Sequence, residues 1–253
     1  MQQYFIKQKL ENPITITDKE TLKHMFAVMR LSTDDEVVLV FEDGIKRLAR
    51  VMDSERHEFE LVKDLDENAE LPVEVTIAMG FPKGDKLDLV AQKGTELGMA
   101  NLWAYPADWS VVKWDKKKLT KRQEKLEKIV QGASEQSKRN HLPSVQFFAT
   151  KDNFMQEFAQ FDLILVAYEE SAKTGEHSVF ANALQQLEAN SKVLLIFGPE
   201  GGISPDEIEA YQKAGGLLVG LGPRILRTET APLYALSAIS YALELNRYCL
   251  FSP

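Results

Sequence analysis

The chain has 253 residues, 44% hydrophobic and 27% charged, a mix that supports a globular core in one large or two smaller domains without disulfides or a structural metal. A single cysteine, Cys249, excludes an intramolecular disulfide, and four scattered histidines offer no zinc spacing. The net charge of −8 speaks against a nucleic-acid partner for the body as a whole, but ten Lys or Arg face four acids between Val111 and Leu142, so that segment carries +6 and the remainder −14.

The opening MQQYFIKQKLENP lacks the basic start and apolar run of a secretory signal, and no apolar stretch approaches the ~18 residues of a membrane span. The expected address is therefore a reducing cytoplasm. Asn12–Ile16 reads as a short strand. Thr17 with Glu20 forms a capping-box pattern that opens a helix, and Leu22, Met25, Phe26 and Met29 fall on one face of it. Glu36–Phe41 is a β-branched run, Asp43-Gly44 a hairpin turn, and Ile45–Met52 and Glu58–Lys63 further strands. Asp64–Leu71, acidic and ending before Pro72, reads as a linker between a domain at 1–70 and another at 71–253.

Beyond it, strands and helices alternate. Strands are expected at 73–79, 102–105, 145–148, 163–168, 192–198 and 217–221, and helices at 87–97, 116–140, 153–160, 179–187, 205–214 and 231–248. Ser204 and Glu207 form a capping box with Pro205 at the first helical position. Apolar strands alternating with helices predict a mostly parallel sheet covered on both faces. The basic stripe falls on the long helix at 116–140. Such a stripe can attract a phosphate backbone, but a solvated Lys/Glu helix face has the same composition, so it matters only if a site lies beside it.

Two loops follow buried strands and are rich in residues that free the backbone: Gly198-Pro199-Glu200-Gly201-Gly202, and Leu221 to Ala231 (LGPRILRTETA). In parallel sheets ligands bind at the carboxyl ends of strands, where such loops sit. A phosphate cradle fails on detail, because neither GxxxxGK[ST] nor GxGxxG is present, no lysine flanks the glycines, and Glu200 would repel a phosphate. A glycine loop with an acid and no base suits a cationic or zwitterionic ligand held by main-chain hydrogen bonds. A tight turn in which Glu200 bonds nearby amides fits the same residues.

FGPEGGISPDEI followed by LGPRILRTETAPLYALSAI resembles the C-terminal signature of the ribosomal RNA small subunit methyltransferase E family, within the SPOUT methyltransferases. FPKGDKLDLVAQKGTELGM (81–99) and ASEQSKRNHLP (133–143) are similar to its middle motifs, and HMFAVMRLSTDDEVVLVFEDG (24–44) to its PUA-like domain. The resemblance implies a small PUA-like RNA-binding β-barrel followed by a trefoil-knotted SPOUT α/β domain, assembled as a homodimer. It implies S-adenosylmethionine as cofactor, no metal, and N3 of a uridine in 16S ribosomal RNA of the small subunit as target. By position it places Ile196, Phe197, Gly198, Pro199, Glu200, Gly201 and Gly202, with Leu221, Gly222, Ile225, Leu226, Arg227 and Thr230, around the cofactor. Arg227 becomes the catalytic candidate, since a guanidinium could hold uracil oxygens and stabilise the anion left when N3 loses its proton; an ion pair with Glu229 or Glu200 is its alternative use. RNA contacts are expected from Arg30, Lys83, Lys113, Lys138 and Arg139. Lys86 reads as part of a solvated helix end, Trp103 as core, and the base that takes the N3 proton stays unassigned. Leu233, Leu236, Ile239 and Leu243 give the last helix an apolar face for a dimer interface or for its own core. The sequence departs from the family pattern at Trp109, where arginine is common, and near Gln3 and Tyr4. A non-enzymatic RNA-binding protein and a nucleotide hydrolase are the rival classes.

Overall fold

The computed structural model describes residues 1–169 and 178–246. Contacts divide the chain into two compact units, Met1–Glu70 with Ser134–Leu142, and Leu71–Ala133 with Pro143–Pro253.

The first unit holds a five-stranded sheet built from β1 (Gln3–Phe5), β2 (Ile14–Thr15), β3 (Glu36–Val40), β4 (Lys46–Asp53) and β5 (Glu58–Leu65), in the order β1-β3-β4-β5-β2. β1 pairs parallel to β3 and the other pairings are antiparallel, with register shifts at Leu48/Ala49 and Val51/Asp53 that bend β4. The run in β3 is apolar from Val37 to Val40 because both faces are covered. Val37 and Leu39 join Tyr4, Ile14, Met25 and Phe59 in one cluster, while Val38 and Val40 meet Phe5, Leu65 and Leu142 on the other side. Helix α1 (Lys19–Leu22) continues as a wider turn over Lys23–Val28. Its cap is Asp18, not Thr17: the Asp18 carboxylate accepts from Thr21 N–H at 2.7 Å. Met25 is buried, whereas Met29 is 37% exposed, so the apolar face is narrower than its spacing predicts.

The second unit is a parallel six-stranded sheet. Its strands are β6 (Glu74–Gly80), β7 (Asn101–Tyr105), β8 (Ser144–Phe147), β9 (Leu163–Ala167), β10 (Lys192–Phe197) and β11 (Leu217–Val219), in the order β11-β9-β10-β6-β7-β8. Its helices are α2 (Lys86–Glu96), α3 (Lys116–Ser137), α4 (Lys151–Gln156), α5 (Ser178–Gln186), α6 (Pro205–Lys213) and α7 (Thr230–Ser240), the last continuing as a wider turn over Tyr241–Leu245. Alternate residues of β10 serve opposite cores. Val193, Leu195 and Phe197 pack with α2 and α7 residues such as Val90 and Leu236, and Leu194 and Ile196 with Phe154, Phe158 and Tyr211. Burial on both faces is why the parallel strands read as continuous apolar runs. The expected capping box is present, with Ser204 Oγ accepting from Glu207 N–H at 3.2 Å and Glu207 Oε2 from Ser204 N–H at 3.0 Å.

Helix α3 ends at Ser137, earlier than expected. Lys138 takes a left-handed φ of 61°, and Arg139 N–H donates back to Ser134 O at 3.0 Å, closing the last turn. The expected end of the last helix, Tyr248, lies outside the described residues, as does Cys249. No helix among the described residues is long and apolar enough to cross a membrane.

Candidate active site

The strand order reverses at β6 and β10, which lie side by side, and ligands of open parallel sheets bind outside the carboxyl ends of strands at such a point. There the segments after β9, β10 and β11 surround a cavity of about 640 Å³ lined by Tyr168, Phe197–Gly202 and Leu221–Thr228, with Lys86 and Trp109. That volume is in the usual range for a small-molecule site.

The glycine loop is built by close approach. A side-chain carbon on Gly198 would lie 2.5 Å from the carbonyl carbon of Gly202, and one on Gly80 would lie 2.6 Å from Cδ of Pro199. Gly202 and Gly222 take φ of 83° and 91°, conformations that only glycine adopts without strain. The loop thus folds tightly on itself and presents bare main chain to the cavity. Leu221, Ile225 and Leu226 add apolar wall from the facing loop.

Of the residues expected around a cofactor, Phe197 through Gly202, Leu221, Gly222, Ile225, Leu226 and Arg227 line the cavity. Ile196 does not. Its side chain points to the opposite face of β10 and is buried in the cluster around Phe154. Thr230 stands outside the lining, where its N–H donates to Arg227 O at 2.9 Å and opens α7.

Electrostatics reassign two side chains. Lys86 Nζ lies 2.6 Å from Glu200 Oε1 and 3.8 Å from Glu229 Oε2, so one ammonium joins the acids of both loops. Glu200 Oε1 also accepts from Lys83 N–H at 3.0 Å. Burial pushes the Glu200 carboxyl up, but the Lys86 ammonium and these amides outweigh it and hold it below its ordinary range. Lys86→Met is therefore expected to raise the Glu200 pKa, which a carbon-13 NMR titration of the side-chain carboxyl reads directly; an unchanged value would mean that the amides alone set it. Lys86 is thus a clamp rather than a solvated helix end, and Glu200 is engaged within the protein, which weakens its reading as a counter-charge for a cationic ligand. Arg227 is exposed and makes no ion pair with Glu229, Glu200 or any other described residue.

The expected RNA contacts divide. Arg30, Lys83 and Lys113 are exposed. Lys138 Nζ donates to the carbonyl of Met1 at 2.9 Å. For Arg139 the expectation needs correction, because its guanidinium is only 3% exposed and is bound to Glu70, Nε to Oε1 at 2.9 Å and a terminal nitrogen to Oε2 at 2.5 Å. A lone basic residue in a basic run carries no mark of a buried partner nearly seventy positions away. Leu236, Ile239 and Leu243 are buried in the core of their own unit, and the exposed apolar residues of that helix are Tyr234, Tyr241 and Leu245. The described residues hold no cluster of His, Cys, Asp and Glu fit for a metal ion.

Residues 69–240 match the RNA methyltransferase domain family, and residues 16–64 the RNA methyltransferase PUA domain. The ribosomal RNA small subunit methyltransferase E of Bacillus subtilis is 44% identical over 253 residues, covering 98% of this chain and 99% of that one. The chain belongs to the ribosomal RNA small subunit methyltransferase E family. A Synechocystis member is 31% identical over 94% of this chain and 76% of its own length. A crystal structure of the Neisseria gonorrhoeae methyltransferase E bound to S-adenosyl methionine is 26% identical and superimposes with a TM-score of 0.81, over 95% of this chain and 97% of that one. Within this methyltransferase E fold, Lys86, Trp109 and Tyr168 are among the lining residues that sequence reasoning did not assign to the cavity. Lys86 opens α2 after β6 and Trp109 lies in the loop after β7, and only the strand order brings those segments beside β10.

Proposed function

We propose that the cavity binds S-adenosylmethionine and that the enzyme methylates N3 of a uridine in 16S ribosomal RNA of the small subunit. The observation that carries this is the pair of facing loops, one folded so tightly that Gly198 has no room for a side-chain carbon. Such a cradle offers main-chain donors and acceptors to an adenosine and an amino acid tail, while Leu221, Ile225 and Leu226 take the apolar base. When bound, the cofactor supplies a methyl group on a sulfonium, open to in-line attack by a deprotonated ring nitrogen. Positioning by the loops contributes much of the rate. Arg227, unspent on any described acid, is placed to hold the uracil oxygens and stabilise the charge that grows as N3 loses its proton.

Residues 1–70 serve as the PUA-like RNA-holding domain and 71–253 as the trefoil-knotted methyltransferase domain, working in the cytoplasm. RNA is held through Arg30, Lys83 and Lys113. The exposed stripe of Tyr234, Tyr241 and Leu245 supports a homodimer.

Calorimetric titration with S-adenosylmethionine tests the cofactor. The wild type should show saturable binding. Gly198→Ala should weaken it by about 10- to 100-fold, since overpacking typically costs about 1–3 kcal/mol and here forces the loop open. A wild type that binds no S-adenosylmethionine, even with ribosomal RNA present, would sink the reading.

A further inference from the structure

Trp109 is an exposed aromatic at the cavity to which the reading above gives no role. It follows β7, lines the cavity and is 47% exposed. The other two tryptophans spend their faces on the protein. Trp103 packs edge-on against Phe148 and Phe161, while Trp114 lies 4.5 Å from the Phe81 ring and carries the Arg122 guanidinium at 4.2 Å. Trp109 has no aromatic or cationic partner among the described residues.

The side chain is nevertheless held in place. Its Cβ lies 2.9 Å from where a side-chain carbon on Gly201 would sit, and its ring carbons lie 3.8 and 3.9 Å from the same point on Gly202, so it rests on the bare main chain of both glycines. Its backbone is pinned on each side. Asp108 N–H donates to Glu207 Oε1 at 3.0 Å, Asp108 Oδ2 accepts from Ser204 Oγ at 2.7 Å, and Asp108 Oδ1 pairs with Lys151. Ser110 N–H donates to Ala107 O at 3.0 Å. Lys151 and then Ser204 hold the Asp108 carboxyl below its ordinary range, so the anchor is ionised at neutral pH. Ser204 and Glu207 are the capping box of α6, where the glycine loop ends. The network therefore fixes Trp109 to the cavity mouth, and an ordered platform loses little entropy on contact.

Strand order brings Trp109 to the glycine loop. That loop follows β10, whose neighbours are β9 and β6, and β7, which leads to Trp109, lies next to β6. Trp109 lines the same cavity as Leu221, Ile225 and Leu226. Lys113, four residues on in the chain, is also exposed.

We propose that Trp109 is a base-stacking residue, its exposed indole face receiving an unstacked RNA base at the mouth of the cavity. Single-stranded bases are commonly read by stacking on aromatic side chains. The proposal rests on the methyl-transfer reading above, and steady-state methylation of small ribosomal subunits lacking the modification tests it beside S-adenosylmethionine calorimetry. Trp109→Ala should lower kcat/KM for the subunits by about 10- to 100-fold, the range of one stacked base, mostly through KM. Its S-adenosylmethionine affinity should stay at the wild-type value, which also shows that the variant is folded, and Trp109→Phe should recover most of the loss. The proposal is overturned if Trp109→Ala leaves kcat/KM unchanged, or if Trp109→Leu performs as well as Trp109→Phe. It is likewise overturned if cofactor affinity falls as far as kcat/KM, which would make the indole a cofactor wall. A wild type that does not methylate the subunits removes the methyl-transfer reading itself, an outcome separate from these.

Discussion

Replacing Arg227 with alanine is expected to lower kcat for subunit methylation by about 100- to 1000-fold, the usual loss when one donor aimed at a developing anion is removed. S-adenosylmethionine affinity should stay near the wild-type value. The reasoning starts from the ion pairs around the cavity. Glu200 and Glu229 are the acids that could have neutralised Arg227; instead Lys86 hydrogen-bonds Glu200 at 2.6 Å and forms a longer ion pair with Glu229 at 3.8 Å. Arg227 therefore keeps its charge and its planar fork for a ligand. Uracil offers two carbonyl oxygens flanking N3, and deprotonation spreads negative charge onto both. Arg227→Lys should recover part of the charge but not the two-point geometry, and so should fall between wild type and alanine. An Arg227→Ala enzyme with normal kcat would remove the residue from the chemistry. A parallel loss of cofactor binding would place it in the cradle instead.

Arg139→Ala should destabilise the first unit by about 3–5 kcal/mol, because truncating one member of a buried pair strands the other charge. Glu70 would lose the guanidinium that encloses it and keep only the N–H groups of Asn140 and His141, at 2.7 and 3.2 Å. Urea denaturation followed through signals of that unit measures the loss. Removing both charges, as in Arg139→Met with Glu70→Leu, should cost less than Arg139→Ala alone, and a double variant no better than the single would refute the stranded-charge account. The pair also predicts a pH dependence. Burial raises the Glu70 carboxyl, but Arg139 and the two amides overcome it, so the folded-state pKa lies below the ordinary glutamate range. A depressed acid contributes stability that is complete above its unfolded pKa and is lost as pH falls through the folded value. Glu70→Gln should accordingly flatten the fall of stability in acid, below the ordinary glutamate range, and leave its slope near neutrality unchanged.

Local rules carried most of the chain. A β-branched run and the Asp43-Gly44 turn located β3 and β4, apolar strands alternating with helices located the strands of the second unit, and the Ser204/Glu207 capping box opened α6 at the expected residue. β1 escaped because three residues carry too little pattern, and it exists only through its parallel pairing with β3. The cap lies at Asp18 and not at Thr17 because either residue type can cap a helix, and the hydrogen bond to Thr21 decides between them. The glycine loops were legible in the same way, since backbone freedom after a buried strand is written in glycine and proline.

What the sequence determined by itself was therefore the parallel class of the second unit, the two ligand loops and the family to which they belong, because each rests on short-range patterns. What only the tertiary structure decided was which charges are spent and which are free. The basic run at 113–139 treats Lys113 and Arg139 alike, yet one is exposed and the other is enclosed by Glu70. Lys86 and Arg227 look equally solvated, yet the position of β6 beside β10 gives Lys86 both loop acids and leaves Arg227 without a partner. The physical reason is range. Periodicity and capping act over a few residues, whereas these ion pairs form between groups that the fold brings together from 69 and 114 positions apart.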